Sequence, residues 1–170
     1  MRKDIVYKPT FRAVLAEAVR GKSVARTLTN LFWKNREPLR GAILDIGGAG
    51  CASHYRFLCL ASDARVRVVD VAAGQGIDFV LDIATERVPL SDGSQDHIFL
   101  FNFLEHLASP DTALREAHRL LKAGGTLIGT IPFLLNVHRN PEDYARYTDT
   151  ALAALFVRNG FAVKAIEPIG

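Results

Sequence analysis

The chain has 170 residues, 49% of them apolar and 23% charged, the balance of an ordinary globular protein long enough to bury one core. No apolar run approaches the roughly 18 residues of a membrane span, and Met1-Arg2-Lys3-Asp4 lacks the apolar segment of a signal peptide, so no transmembrane segment is expected. The net charge of +3 is uneven: residues 1–40 hold ten Lys/Arg against three Asp/Glu, most simply a solvated helix face. Without an arginine-rich run or a recognisable nucleic-acid module, no specific nucleic-acid partner is expected.

In chain order, Phe11, Val14, Leu15, Ala18 and Val19 recur at helical spacing after Pro9 and Thr10. A second helix is predicted over Ser23–Trp33, and Pro38 closes this helical preface of residues 1–40. Gly21-Lys22-Ser23 imitates the end of a phosphate-binding loop. That motif needs a glycine where Ala16 stands, and a strand before it, so the reading is rejected.

From Gly41 strands alternate with helices. Ala42–Ile46 is predicted as the first strand, running into Gly47, Gly48 and Gly50, with a helix over Ala52–Leu60. Val66–Asp70, Phe79–Leu81, Asp96–Asn102, Thr126–Ile131 and Phe161–Ile166 follow as strands. Helices are expected over Pro110–Lys122, with Gly124 beyond its end, and Thr148–Asn159, ended by Gly160. The pattern predicts an α/β fold: a Rossmann-like, doubly wound, mostly parallel sheet of about six strands with helices on both faces. Cys51 and Cys59 read as reduced and packed, which favours a cytoplasmic setting. No Cys/His spacing resembles a zinc site, and no metal is expected.

Ligands of open α/β sheets lie at the carboxyl ends of the strands, where strand order reverses. Three successive strand ends carry acids: Asp45 before the glycine turn, then Asp70, then Asp82. Three carboxylates would repel a pyrophosphate but accept from hydroxyl, amine and cationic groups. S-adenosylmethionine offers a ribose, amines and a positive sulfur.

At these residues the chain resembles the class I S-adenosylmethionine-dependent methyltransferases, in particular the small bacterial methyltransferase type 11 group. The markers are Leu44-Asp45-Ile46-Gly47, Val69-Asp70-Val71, Val88-Pro89-Leu90 with Asp92, Leu104-Glu105-His106 and Leu121-Lys122-Ala123-Gly124-Gly125. A later stretch, His138 with Asp143-Tyr144-Ala145-Arg146-Tyr147-Thr148, looks like one branch of that group, whose members often sit near sugar-handling enzymes.

The resemblance implies a domain over residues 41–170 that binds S-adenosylmethionine and releases S-adenosylhomocysteine. In it Asp45, Gly47, Gly48 and Gly50 would wrap the methionine portion. Asp70, with Val71 beside it, would hold the ribose hydroxyls. Asp82 and Ile83 would face the adenine, while Asn102 and Phe103 would border the sulfonium and the acceptor. The turn departs from the family's pattern, because Ala49 and Cys51 fill places where glycine is usual. The family also closes its sheet with an antiparallel hairpin. Here the chain stops at Glu167-Pro168-Ile169-Gly170, so that strand is expected to be missing: either the chain is a fragment, or another chain or a shortened sheet handles the edge, and an uncovered edge would favour a homodimer or aggregation.

His106 and His138 are the candidate catalytic bases, since an oxygen or nitrogen nucleophile must lose a proton. The plain alternatives are local packing of His106 and a loop role for His138. Tyr144, Arg146 and Tyr147 would bind the acceptor, a small molecule or saccharide, or else anchor the loop. Two rival readings stand beside methyl transfer. One is a non-catalytic binding module of the same fold. The other is an NAD(P)-dependent oxidoreductase, disfavoured by the incomplete dinucleotide glycine pattern and the absence of a Tyr-x-x-x-Lys pair.

Overall fold

The computed structural model describes residues 10–18, 24–34, 36–48, 58–139 and 142–169. The chain divides into two compact units. One comprises residues 1–39, 53–62 and 164–170, and the other residues 40–52 and 63–163.

The first unit contains helices α1 (Phe11–Ala18) and α2 (Val24–Lys34), close to the predicted positions. Within it the Arg36 guanidinium lies 4.4 Å from the centre of the Phe32 ring and pairs with Glu167 at 3.3 Å. Leu39 bridges to Leu60 in parallel, so the end of the predicted Ala52–Leu60 helix is extended backbone. Residues 52–57 of that helix lie outside the described residues.

The second unit holds the sheet: β1 (Ala42–Ile46), β2 (Arg65–Asp70), β3 (Phe79–Val80), β4 (Gln95–Phe101) and β5 (Leu121–Thr130). All pairings are parallel and the order is β3-β2-β1-β4-β5, the doubly wound arrangement that the alternation predicted. Leu44 stands opposite Arg67 of β2 and Ile98 of β4, which makes β1 the central strand. A central parallel strand is covered on both faces, and Ile43, Leu44 and Ile46 are accordingly buried. The core joins these strands to Ala113, Leu114, Ala117 and Leu120 of α3 (Asp111–Leu120) and to Leu155 of α4 (Asp149–Arg158). The Thr148 hydroxyl caps α4 by accepting from the Ala151 N–H at 3.2 Å.

The structure corrects two boundaries and one element. Helix α3 ends at Leu120, and Leu121 already pairs with Gln95, with an irregularity in register before His97. Gly124, expected just past the helix, therefore lies with Gly125 inside β5, within the register irregularity between Leu121 and Thr126, where glycine is common. Phe161–Ile166, predicted as a sixth strand, forms no strand among the described residues, so the sheet has five. Phe161 instead donates its N–H to Phe156 O and sets its ring edge-on to Phe156 and His118. Its hydrophobicity anchors the end of α4 rather than feeding a ladder.

Asp111 ties the start of α3 to the end of α4. It accepts two bonds from Arg158 and one from the Asn159 amide, all at 2.8 Å, and these partners lower its pKa to about 2. A carboxyl depressed in the folded state stabilises it above the unfolded value of about 3.9, and the gain is lost as pH falls through the folded value. Asp111→Asn is therefore expected to cost about 1 kcal/mol at pH 7, a figure reduced for solvent screening at this partly exposed pair. The difference from the parent should close between about pH 4 and pH 2 in urea melts.

Candidate functional site

Strand order reverses between β1 and β4, because the chain steps from β1 to β2 and β3 on one side and then to β4 and β5 on the other. Their carboxyl ends are where such sheets leave a crevice. Asp45, the penultimate residue of β1, is fully buried there. Gly47 follows with φ +74°, and its N–H donates to Val69 O at 2.9 Å. A Cβ on Gly47 would lie 2.4 Å from the Phe103 ring, and one on Gly48 would lie 2.1 Å from Asp45 Oδ2. Both glycines are thus required by close approach, and the first also by its backbone angle. Gly50, with Ala49 and Cys51, lies outside the described residues.

Asn102 leaves β4 with φ +49°, a left-handed conformation that asparagine tolerates better than most side chains. Its N–H donates to Thr130 O at 2.9 Å, and its Oδ1 accepts from the Thr130 hydroxyl at 3.0 Å. This locked corner aims Phe103 at Gly47. Of the residues expected to border the cofactor, Gly47 lies against the Phe103 ring, Gly48 lies against Asp45, and Asn102 directly precedes Phe103.

Asp70 ends β2 and is half-buried, with Oδ1 accepting from the Ala72 N–H at 2.9 Å; Val71 beside it is exposed. Asp82 lies beyond β3, whose Val80 pairs with Asp70, so the two acids share the same sheet edge. The Asp82 carboxylate caps its own turn, through the Ala84 N–H at 2.9 Å and the Thr85 hydroxyl at 3.3 Å. Ile83 is a core side chain.

The third group stands after β4. Leu104–His106 form a single 3-10 turn in which Glu105 is fully buried. Its two carboxylate oxygens accept no hydrogen bond from any other described residue, and burial raises its pKa. His106 Nε2 lies 3.8 Å from Glu105 Oε1, and the His106 and His138 rings meet edge-on with centroids 5.2 Å apart. The two predicted histidines are therefore neighbours.

The loop that carries His138 is pinned from within. Asp143 receives the His138 N–H at 2.9 Å and a forked ion pair from Arg146, which holds its carboxyl well below the usual range. Arg146 also donates to Ala145 O, and the Tyr144 N–H donates to Glu105 O at 2.7 Å. Tyr147 packs against the core, and burial raises its pKa. Of the three residues predicted to bind an acceptor, Tyr144 presents an exposed ring, while Arg146 and Tyr147 anchor the loop. Sequence reading passed over Glu105 and Asp143 as functional groups. The available signal was a carboxylate in the apolar run Phe103-Leu104, next to a histidine.

The remaining features are structural. A surface depression lined by Arg87, Leu90, Asp92 and Arg119 lies at the opposite, amino-terminal edge of β4. Arg119 is fully engaged there, donating to Glu116, Asp92, Leu90 O and Val88 O. His97 shares a 2.6 Å hydrogen bond with Thr126 across β4 and β5, and burial lowers its pKa.

Residues 44–129, just over half of the chain, match the family model described as a methyltransferase domain. The ubiquinone/menaquinone biosynthesis C-methyltransferase of Rubrivivax gelatinosus is 35% identical over 113 residues, covering 57% of this chain and 44% of that protein. A ubiquinone biosynthesis O-methyltransferase of Pseudomonas paraeruginosa is 30% identical over 81 residues, covering 48% and 33%. The chain thus spans less than half the length of these curated relatives. Among solved structures, an S-adenosylmethionine-dependent methyltransferase from Aquifex aeolicus superposes with a TM-score of 0.65 at 15% identity, covering 91% of this chain and 92% of that one, a likeness of fold. The sheet order, the glycine turn at the reversal point and the matched span agree, and the chain belongs to the methyltransferase domain family.

Proposed function

We propose that the protein is an S-adenosylmethionine-dependent methyltransferase acting on an oxygen or nitrogen of a small acceptor. The observation that carries this reading is the junction at the sheet's reversal point. There a buried acid, two glycines that admit no Cβ and an aromatic ring pack against one another at the carboxyl ends of β1 and β4. Such a cradle suits a ligand that backbone must approach closely, and the half-buried Asp70 one strand away suits hydroxyl donors. The donor set fits S-adenosylmethionine. Asp45, Gly47, Gly48 and Gly50 would hold its methionine portion and Asp70 its ribose, with Val71 alongside. Asp82, whose carboxylate keeps lone pairs beyond those its own turn uses, and the Ile83 backbone would meet the adenine. Asn102 and Phe103 would border the reacting centre.

Bound there, S-adenosylmethionine would supply a methyl group already activated on a positive sulfur, and its transfer to an oxygen or nitrogen would be accompanied by loss of that atom's proton. The protein's part is alignment and removal of that proton. Alignment alone is worth roughly 7–11 kcal/mol. His106 and His138 open on the same edge of the sheet as Asn102 and stand ready to accept the proton, and the exposed Tyr144 ring supplies an acceptor contact. We assign cofactor binding to residues 41–170 and treat residues 1–40 as a helical extension.

The test is transfer of a labelled methyl from S-adenosylmethionine to a panel of hydroxyl- and amine-bearing acceptors, phenols and saccharides included. Asp70→Ala is expected to weaken cofactor binding by about tenfold or more, the loss of a charge-assisted pair of bonds. An unchanged dissociation constant would remove Asp70 from the site. Tight cofactor binding with no transfer to any acceptor would favour a non-catalytic binding module.

A further inference from the structure

We propose that Glu105, His106 and His138 form a binding site for a divalent transition-metal ion. One ligand atom from each lies within 4.8 Å of the other two. Bonds of about 2.0–2.2 Å to a central ion would draw such atoms to roughly 3–3.5 Å apart, a small side-chain rotation from where they stand. The cluster is more than a chance gathering of polar groups, because its carboxylate is fully buried and neither oxygen has a hydrogen-bonding partner among the other described residues. A buried, unpaired carboxylate is costly, and a cation is the ligand that would relieve it.

The surrounding bonds orient both histidines for the task. His106 Nδ1 donates to Glu142 O, so that nitrogen carries the proton and Nε2, on the Glu105 side, keeps its lone pair. His138 Nδ1 lies 3.3 Å from Asn136 O and 3.3 Å from Asp143 Oδ2, two acceptors that likewise place its proton on Nδ1. A carboxylate behind a ligating imidazole is the usual support of a metal-bound histidine. Arg146 also faces Glu105, but its guanidinium is taken up by Asp143. Two imidazole nitrogens and one carboxylate suit zinc, manganese, cobalt or ferrous ions, whereas calcium and magnesium prefer oxygen-only sets. Three protein ligands leave coordination positions open. On the reading given above these face the acceptor; with both imidazole lone pairs taken up, the bound ion rather than either histidine would promote proton loss, by binding an acceptor hydroxyl and lowering its pKa.

The site can be tested without turnover. Protein stripped with chelator is titrated with Co2+, following visible absorption, and with Zn2+ by calorimetry. One ion per chain is expected, with affinity reduced about tenfold or more in His138→Ala and in His106→Gln. S-adenosylhomocysteine titrations report whether each variant is folded and should stay within about twofold of the parent, because neither imidazole is among the groups assigned to hold the cofactor. No saturable binding of either ion, or equal binding by the parent and both variants, would overturn the proposal. Metal binding without S-adenosylhomocysteine binding would sink the methyl-transfer reading and leave the metal site standing; the converse would do the reverse.

Discussion

Gly47→Ala is expected to lower affinity for S-adenosylhomocysteine by roughly a hundredfold and to destabilise the protein by about 2–5 kcal/mol. Two separate penalties combine. The first is backbone: at φ +74° an L-residue with a Cβ is strained by about 1–2 kcal/mol. The second is steric, since the new carbon would sit 2.4 Å from the Phe103 ring and must displace it, at about 1–3 kcal/mol. Moving Phe103 disturbs the wall of the crevice next to the reacting centre, so binding should suffer beyond the loss of stability. Gly124→Ala is the control. Its φ is +79°, but a Cβ there would meet nothing within 4 Å, so only the backbone penalty applies, and cofactor affinity should be unchanged. Urea melts and calorimetry on the two variants separate strain from crowding. Equal effects in both would show that the Gly47–Phe103 contact has no part in the site.

Glu105→Gln should act in opposite directions on stability and on transfer. In metal-free protein the substitution removes a charge buried without a hydrogen-bonding partner, and a gain of about 1–3 kcal/mol, or roughly 2–10 °C in Tm, is expected at pH 8. The sign follows from the raised pKa. A carboxyl that binds its proton more tightly when folded makes stability fall as pH rises from the unfolded value of about 4.3 through the higher folded one. Below both values the carboxyl is neutral in either state, so the advantage of glutamine should vanish near pH 4. Methyl transfer, by contrast, should drop on the order of a hundredfold, because the neutral amide is a poor metal ligand. Added Zn2+ should stabilise the parent and leave the variant unmoved. A Glu105→Gln protein no more stable than the parent at pH 8 would mean that the carboxylate is satisfied in solution. Groups that weaken a fold while serving its chemistry are common at active sites.

Much of this architecture was legible in the residues. Ile43-Leu44 and Ile98-Phe99-Leu100-Phe101 are continuous apolar runs because β1 and β4 are covered on both faces. Asp45, Gly47 and Asp70 could be placed because acids and glycines at strand ends have few structural uses. Elsewhere local signals competed with packing. Gly124-Gly125 carries the signature of a helix stop, but the pairing of Leu121 with Gln95 begins the strand first. Phe161 has the apolar character of a strand residue, yet the aromatic pocket of Phe156 and His118 claims it. The histidines were picked out singly. Their partnership with Glu105 and Asp143 was not readable, because it arises when the loop after β5 folds back to the turn after β4, and no sequence spacing encodes that approach.

The central claim rests on cofactor recognition, and calorimetric titration of the full chain with S-adenosylhomocysteine and, separately, NADH tests it most directly. Saturable binding of one S-adenosylhomocysteine per chain is expected, weakened in Asp70→Ala and Gly47→Ala, with no saturable heat from NADH. Binding of NADH in the absence of any S-adenosylhomocysteine binding would contradict it.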